Sequence, residues 1–343
     1  MQTQEHRFSF SGTGSEYFRI WIVNLVLSIL TLGIYSAWAK VRRMQYFYRN
    51  TRLNESSFDY HGKAIAILKG RLIAVTLFAS YYIFIKVMPL LGLAIGLLIA
   101  SVMPYLLVIS FRFRLYNSSY RGLRFGFAGS IKSAYVTFLA LPIATLFTLY
   151  LLAPFTHQRI KAYQHNNSRF GQSAFSFNAG AGGFYAIYIF AFLQFIVIAS
   201  LLAFGAFSMF KGHTANASRE TMVLLFVLAV YALLIVASLL IVPYFISRIQ
   251  NLVWNHTELG KHRFESSLSA RGLAWIIFSN FILIVMTIGL FKPFADIRMA
   301  RYRIEHMALI PAGNIDEFIA SEQQQVSAAG TETAEIFDLD IGF

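Results

Sequence analysis

The sequence has 343 residues, a mean hydropathy of +0.57, 57% hydrophobic residues and only 13% charged ones. A soluble domain carries roughly 25% charged residues, so an ordinary soluble enzyme of this size is excluded. A net charge of +13 on so apolar a chain points to a membrane protein with basic loops rather than a nucleic-acid binder. The absence of cysteine removes disulfides, thiol catalysis and thiolate metal sites.

Charge-free windows mark the apolar segments. No Asp, Glu, Lys or Arg occurs between Arg19 and Lys40, Lys86 and Arg112, Lys132 and Arg159, Arg169 and Lys211, Glu220 and Arg248, or Arg271 and Lys292. Each window holds a run near the roughly 20 residues that cross the hydrocarbon core. Seven spans are therefore expected, near 18–37, 71–89, 91–111, 133–153, 184–209, 222–246 and 273–292, in an all-α polytopic transmembrane helical bundle. Lys86 and Pro89 fall at a tight turn between the second and third. The first run lacks the basic flank and small-residue cleavage site of a signal peptide. Residues 307–343 hold Asp316, Glu317, Glu322, Glu332, Glu335, Asp338 and Asp340 without a basic residue, and read as a mobile acidic tail.

An internal repeat organises residues 1–306. It starts at Ala37, Pro104, Pro154, Pro243 and Pro293, each followed by an aromatic residue. Five residues after the start comes Arg42, Arg159, Arg248 or Arg298, with Ile109 in the second copy. Twenty-one residues after it comes Phe58, Phe125, Phe175 or Phe264. Upstream, Asn24 and Asn280 lie thirteen residues before a start, and Thr31, Thr148 and Thr287 lie six before. Phe8-Ser9-Phe10 matches Phe175-Ser176-Phe177, as though the chain begins partway through a unit. The units run 8–124, 125–263 and, in part, 264–306; each is a short segment, a basic-aromatic connector and a two-span hairpin.

Three crossings per unit would invert alternate units, a transporter architecture with its site at the repeat interface. Full crossing splits Lys and Arg 19 to 10 between the two sides and puts the C-terminus in the cytoplasm. If the short segments dip in and return, the split is 26 to 3. The charge bias favours dipping and the single-span length favours crossing; seven crossings are the expectation.

Two sets of residues are candidates for function. Asn24, Gln194 and Asn280 lie inside apolar segments, where amides either join helices or line a polar site. In the connectors, Lys40, Arg42, Arg43, Tyr46, Arg49, Arg159, Arg248 and Arg298 mix cations with aromatic rings, a composition suited to anionic lipid headgroups or to fixing topology. Catalysis finds little support. His256 and His262 are six apart, which does not stack ligands on a helix face, and no metalloprotease, nucleophile-elbow or nucleotide-binding motif occurs. No metal, cofactor or nucleic-acid partner is expected.

The stretch 8–62, above all TLGIYSAWAKVR followed by Tyr46-Phe47-Tyr48-Arg49-Asn50-Thr51, resembles the YjgN-like bacterial inner-membrane proteins, a family of unknown function. The later TIGLFKPFADIRMARY and the ending Ile336-Phe337-Asp338-Leu339-Asp340 are similar too. The resemblance implies a polytopic inner-membrane protein and supplies no substrate or catalytic residue. The reading is a transporter or lipid-handling protein. A noncatalytic membrane scaffold or envelope-associated factor is the alternative, and an intramembrane enzyme a third.

Overall fold

The computed structural model describes residues 5–213 and 218–328. β1 (His6–Phe10) leads into α1 (Gly14–Leu30), which turns back as α2 (Ser36–Asn50) into the hairpin β2 (Thr51–Leu53) and β3 (Ser56–Tyr60). The long pair α3 (Ala64–Val87) and α4 (Pro89–Tyr116) returns to β4 (Ser118–Tyr120) and β5 (Leu123–Phe127). Next come α5 (Ile131–Tyr135), a π-helical turn (Val136–Ala140), α6 (Leu141–Phe147) and α7 (Ala153–Asn166), then β6 (Ser168–Phe170) and β7 (Ser173–Phe177). The pair α8 (Ala181–His213) and α9 (Arg219–Trp254) precedes β8 (Thr257–Leu259) and β9 (His262–Ser266). The chain continues through α10 (Ala270–Met286), α11 (Lys292–Glu305), β10 (Met307–Ile310) and α12 (Ile315–Ala328).

The ten strands close into an antiparallel barrel in the order β1-β10-β9-β8-β7-β6-β5-β4-β3-β2. This overturns the all-α expectation: the connectors are strands. Four two-residue turns make four hairpins, at Asn54-Glu55, Arg121-Gly122, Gly171-Gln172 and Gly260-Lys261, and each contains a positive φ, the backbone that short hairpin loops require. The fifth hairpin has no loop. β1 and β10 make it, with His6 opposite Leu309 and Arg7 opposite Ala308. The repeated phenylalanines are the barrel's central layer. Phe8 faces Leu53, Phe58 faces Tyr120, Phe125 faces Phe170, Phe175 faces Leu259 and Phe264 faces Leu309. Period-two alternation turns each of these pairs to one face, and all ten side chains pack in one apolar cluster.

Strands flanking each helical excursion are neighbours in the barrel, so every excursion returns to the rim it left. The helices form a second closed ring: α3 packs on α2, α5 on α4, α8 on α7, α10 on α9 and α1 on α11. Among the described residues, four helices are long and apolar enough to cross a membrane: α3, α4, α8 and α9. The seven-span expectation is therefore corrected. The apolar runs 18–37, 133–153 and 273–292 are not single helices. Each is a helix that ends at a tight turn, followed by the start of the returning helix.

The same threonine builds all three turns. Thr31 Oγ1 donates to Leu27 O at 2.7 Å and accepts from Tyr35 N at 2.9 Å. Thr148 donates to Ala144 O and accepts from Leu152 N; Thr287 donates to Leu283 O and accepts from Phe291 N. Left-handed backbone at Leu32-Gly33, Leu149-Tyr150 and Ile288-Gly289 lets Gly33 N, Tyr150 N and Gly289 N donate back to the last helical carbonyls. The tips are nonetheless apolar and bare: Leu32 is 95% exposed, Ile288 94% and Leu149 85%. Such tips suit hydrocarbon, where backbone groups must be satisfied internally. At about 1.5 Å per residue, the 17-residue α1 is about 25 Å long, short of the roughly 30 Å core.

Residues 307–310, expected to open the acidic tail, are the last barrel strand, and α12 closes the barrel mouth where the hairpin turns lie. Ile315, Phe318 and Ile319 point into the barrel cluster. Glu322 is buried, and its carboxylate accepts from Gln172 N (2.6 Å), Ser173 N (3.2 Å) and Ser173 Oγ (2.7 Å). Gly171, at φ +58°, leaves room for it, since a Cβ there would lie 2.4 Å from Glu322 Oε2. Arg121 pairs with Asp316, and Gln323 donates to Arg121 O. The ending Ile336–Asp340 lies outside the described residues.

The returning topology is testable by cysteine labelling, because the chain has none of its own. Cysteines replacing Glu55 and Lys261, both exposed on hairpin turns, are expected to react with an impermeant maleimide from the same side of the membrane. Seven crossings would put them on opposite sides, and that result would refute the returning fold.

Candidate functional site

The repeat starts Ala37, Pro104, Pro154, Pro243 and Pro293 are all buried, seating five basic helical segments above the barrel. The arginines five residues on differ in what they do. Arg159 lies over Phe155 (4.9 Å), Arg248 over Tyr244 (5.8 Å) and Arg42 over Tyr35 (5.6 Å), each with its head exposed. Arg298 instead turns inward and donates to Asn280 Oδ1 (2.7 Å) and Ser279 Oγ (2.9 Å). Arg43 lies 3.8 Å from Asp296 and clasps α2 to α11. Tyr46 OH donates to Thr13 O and accepts from Thr13 N, which ties α2 to the start of α1. Lys40 is exposed, and partial desolvation followed by Arg71 and Arg114 lowers its pKa.

One open groove brings several expected residues together. It lies between α1 and α2, has a volume of about 490 Å³, and is walled by Arg19, Arg42, Arg49, Tyr46, Gln45, Asn50, Ile20 and Val23. Three cations face two aliphatic side chains, and no acidic residue lines the space. Arg49 is partly engaged, donating to Asp59 at 2.9 Å, and that pairing helps hold the Asp59 carboxyl below its usual range against burial. Arg19 was not among the expected residues; its signal was its place as the charge bounding the first apolar run. Arg159, Arg248 and Arg298 lie on other helices and do not line this groove.

A second space lies on the barrel axis. Its volume is about 270 Å³ and its lining surface is entirely apolar. The five repeated phenylalanines wall it, Phe318 and Ile319 of α12 close one end, and Trp254 and Ile304 stand at the helix end. His165 packs edge-on against Trp254 at 5.4 Å, and burial with the nearby Lys161 pushes its pKa down to about 4. Among the described residues, no group of three His, Asp or Glu side chains could hold a metal ion.

Residues 5–336 match a family described as bacterial protein of unknown function (DUF898). The chain belongs to this family. It is similar to the inner membrane protein YjgN of Salmonella typhimurium strain LT2, at 24% identity over 339 residues and 85% of each chain. It is also similar to the inner membrane protein YjgN of Escherichia coli K12, at 33% identity over 149 residues, 42% of this chain and 36% of that one. No solved structure matches it. With four long apolar helices, this member of the DUF898 family is an integral inner-membrane protein.

Asn24, Gln194 and Asn280 form no common site: none of them hydrogen-bonds another, and they stand on α1, α8 and α10. The repeat register makes Asn24 and Arg42 the counterparts of Asn280 and Arg298. Asn280 is satisfied, holding Arg298 through Oδ1 and Ala295 O through Nδ2. Asn24 is buried too, yet among the described residues its Oδ1 has no partner, because Arg42 lies out in the groove. Gln194 Oε1 is likewise unpartnered there.

Asn280→Ala should therefore cost about 1–3 kcal/mol by stranding Arg298, and Asn24→Ala under about 1 kcal/mol. Chemical unfolding in detergent measures both, and equal losses would contradict the assignment. The pH dependence follows from His165. Unfolded, it titrates near 6.5; folded, at about 4. As pH falls the unfolded chain takes up the proton first, so the stability from neutral His165 is whole above 6.5 and drains between 6.5 and about 4. His165→Gln should flatten the fall in unfolding temperature across that window; an unchanged slope would remove His165 as its source.

Proposed function

We propose that this is a lipid-handling protein of the bacterial inner membrane that holds an anionic phospholipid headgroup in the groove between α1 and α2. The observation that carries this reading is the groove itself: Arg19, Arg42 and Arg49 beside Ile20 and Val23, with no acidic side chain in the lining. Arginine forks match phosphate oxygens in paired hydrogen bonds, and the aliphatic wall suits the first carbons of the acyl chains. The unpartnered Asn24 Oδ1 fits a residue that Arg42 leaves when it reaches for phosphate, since Asn280 keeps the equivalent Arg298 at home.

The barrel, α12 and both ends of the described chain occupy one face of the helix ring. Of the 29 Lys and Arg, three fall at the α3–α4 and α8–α9 tips and Lys292 at the α10–α11 tip; the other 25 lie on the helices, strands and turns between those tips and the barrel mouth. By the positive-inside rule this face is cytoplasmic. The three short hairpins then enter from the cytoplasmic leaflet and place their apolar tips within the bilayer, beside the groove that receives the headgroup.

The test is thermal stabilisation of purified protein by added lipid. Phosphatidylglycerol is expected to raise the unfolding temperature more than phosphatidylcholine does. Arg19→Gln with Arg42→Gln should remove at least half of that difference. Equal stabilisation by both lipids, or an undiminished difference in the double variant, would defeat the proposal.

A further inference from the structure

The barrel lumen is separate from the headgroup groove, and its two ends differ. The middle is hydrocarbon-like: Phe8, Phe58, Phe125, Phe175 and Phe264 ring a space of about 270 Å³ with no polar lining surface. Apolar cavities of about 150 Å³ stay dry and take benzene, and this one is larger. Ile315, Phe318 and Ile319 cover the outer end, and the Glu322 bonds pin that cover down.

Two cations stand near the helix end, neither of them among the residues that line the lumen. Arg303 immediately precedes Ile304, which lines the lumen. Its Nε donates to Gln250 Oε1 at 2.7 Å while Gln250 Nε2 donates to its carbonyl. Gln250 lies one helical turn before the lining Trp254. Lys161 lies one turn before His165, whose ring touches Trp254. Neither Lys161 nor Arg303 has a carboxylate partner among the described residues, and Lys161 has no hydrogen-bond partner there. Burial and then Arg303 and Arg114 lower the Lys161 pKa, so these cations sense one another. Lys161 is half-buried beside the exposed Arg303; a half-buried cation without a counterion is costly, and an anion beside it removes the cost.

We propose that the barrel lumen binds the hydrocarbon chain of an anionic single-chain amphiphile, with its carboxylate or phosphate head facing Lys161 and Arg303. The chain satisfies the aromatic wall and the head satisfies the cations. The other end stays shut because α12 presents only apolar residues to the lumen. This site does not depend on the groove between α1 and α2.

Trp254 reports on it directly. With Trp21, Trp38 and Trp275 replaced by Phe, the protein in lipid nanodiscs is titrated with 11-bromoundecanoic acid and, separately, with 1-bromodecane, both contact quenchers. The acid is expected to quench Trp254 saturably. Lys161→Met should weaken the acid at least tenfold and leave 1-bromodecane unchanged, and Lys161→Arg should restore it. Leu259→Phe, which fills the lumen, should abolish saturable quenching by both probes. Arg19→Gln with Arg42→Gln should change none of this, which separates the lumen from the headgroup reading. Quenching by the acid that rises linearly and is the same in the Lys161 and Leu259 variants would overturn the proposal. Saturable binding of the acid that is indifferent to Lys161→Met would overturn it as well. Should Leu259→Phe fail to fold, the Lys161 pair alone decides.

Discussion

Antiparallel pairing of β1 with β10 is the contact on which the molecule depends. It joins residues from the two ends of the sequence and turns nine hydrogen-bonded strand neighbours into a ring without an edge. Neighbouring strands lie about 4.8 Å apart, so a helical excursion that leaves one and lands on the next must come back to its starting height. That constraint forbids an odd number of crossings in any excursion. Two excursions answer it with a pair of full-length helices, and three with a shorter pair that turns at a threonine. The alternation of short and long follows the repeat visible in the sequence, while the parity comes from the barrel.

Much of the frame was legible. The phenylalanines at a fixed offset, the match of Phe8-Ser9-Phe10 to Phe175-Ser176-Phe177, and Thr31, Thr148 and Thr287 all proved to be equivalent positions with a shared structural task. The barrel was not legible. Its strands have three to five residues, too short to show alternation against a background of aromatic and basic side chains, and their partners lie in other connectors. The runs 18–37, 133–153 and 273–292 read as single spans because an apolar turn set in lipid has the same composition as an apolar helix. Only the left-handed backbone at Leu32, Leu149 and Ile288 breaks them. The charge bias had favoured the correct alternative against the length of the segments.

The candidate residues divide by what holds them. Arg42 and Arg49 do line one groove, and Tyr46 both lines it and fastens the start of α1. Arg43 and Arg298 are spent on internal contacts with Asp296 and Asn280. Sequence position alone could not separate these cases, because Arg42 and Arg298 occupy the same place in the repeat. The difference lies in neighbours: Phe18 of α1 packs on Phe294 of α11, whereas the partner that crosses from α11 to α2 is the Asp296 that engages Arg43. Pseudosymmetry thus supplies five equivalent frames, and local substitutions decide which of them leaves its arginine free.

The loopless fifth hairpin has a consequence for the order of events at the ribosome. Synthesis is vectorial, so β1 is made long before β10, which emerges only after α1 to α11 have been delivered. Until then the nascent sheet is an open ribbon whose two borders expose unpaired amides and carbonyls, the feature that invites pairing with other chains. Among the described residues, the strand made last is the one that locks the first, and α12 follows it immediately to stopper the mouth. A chain released before Met307 would carry α1 to α11 and still lack a closed circumference.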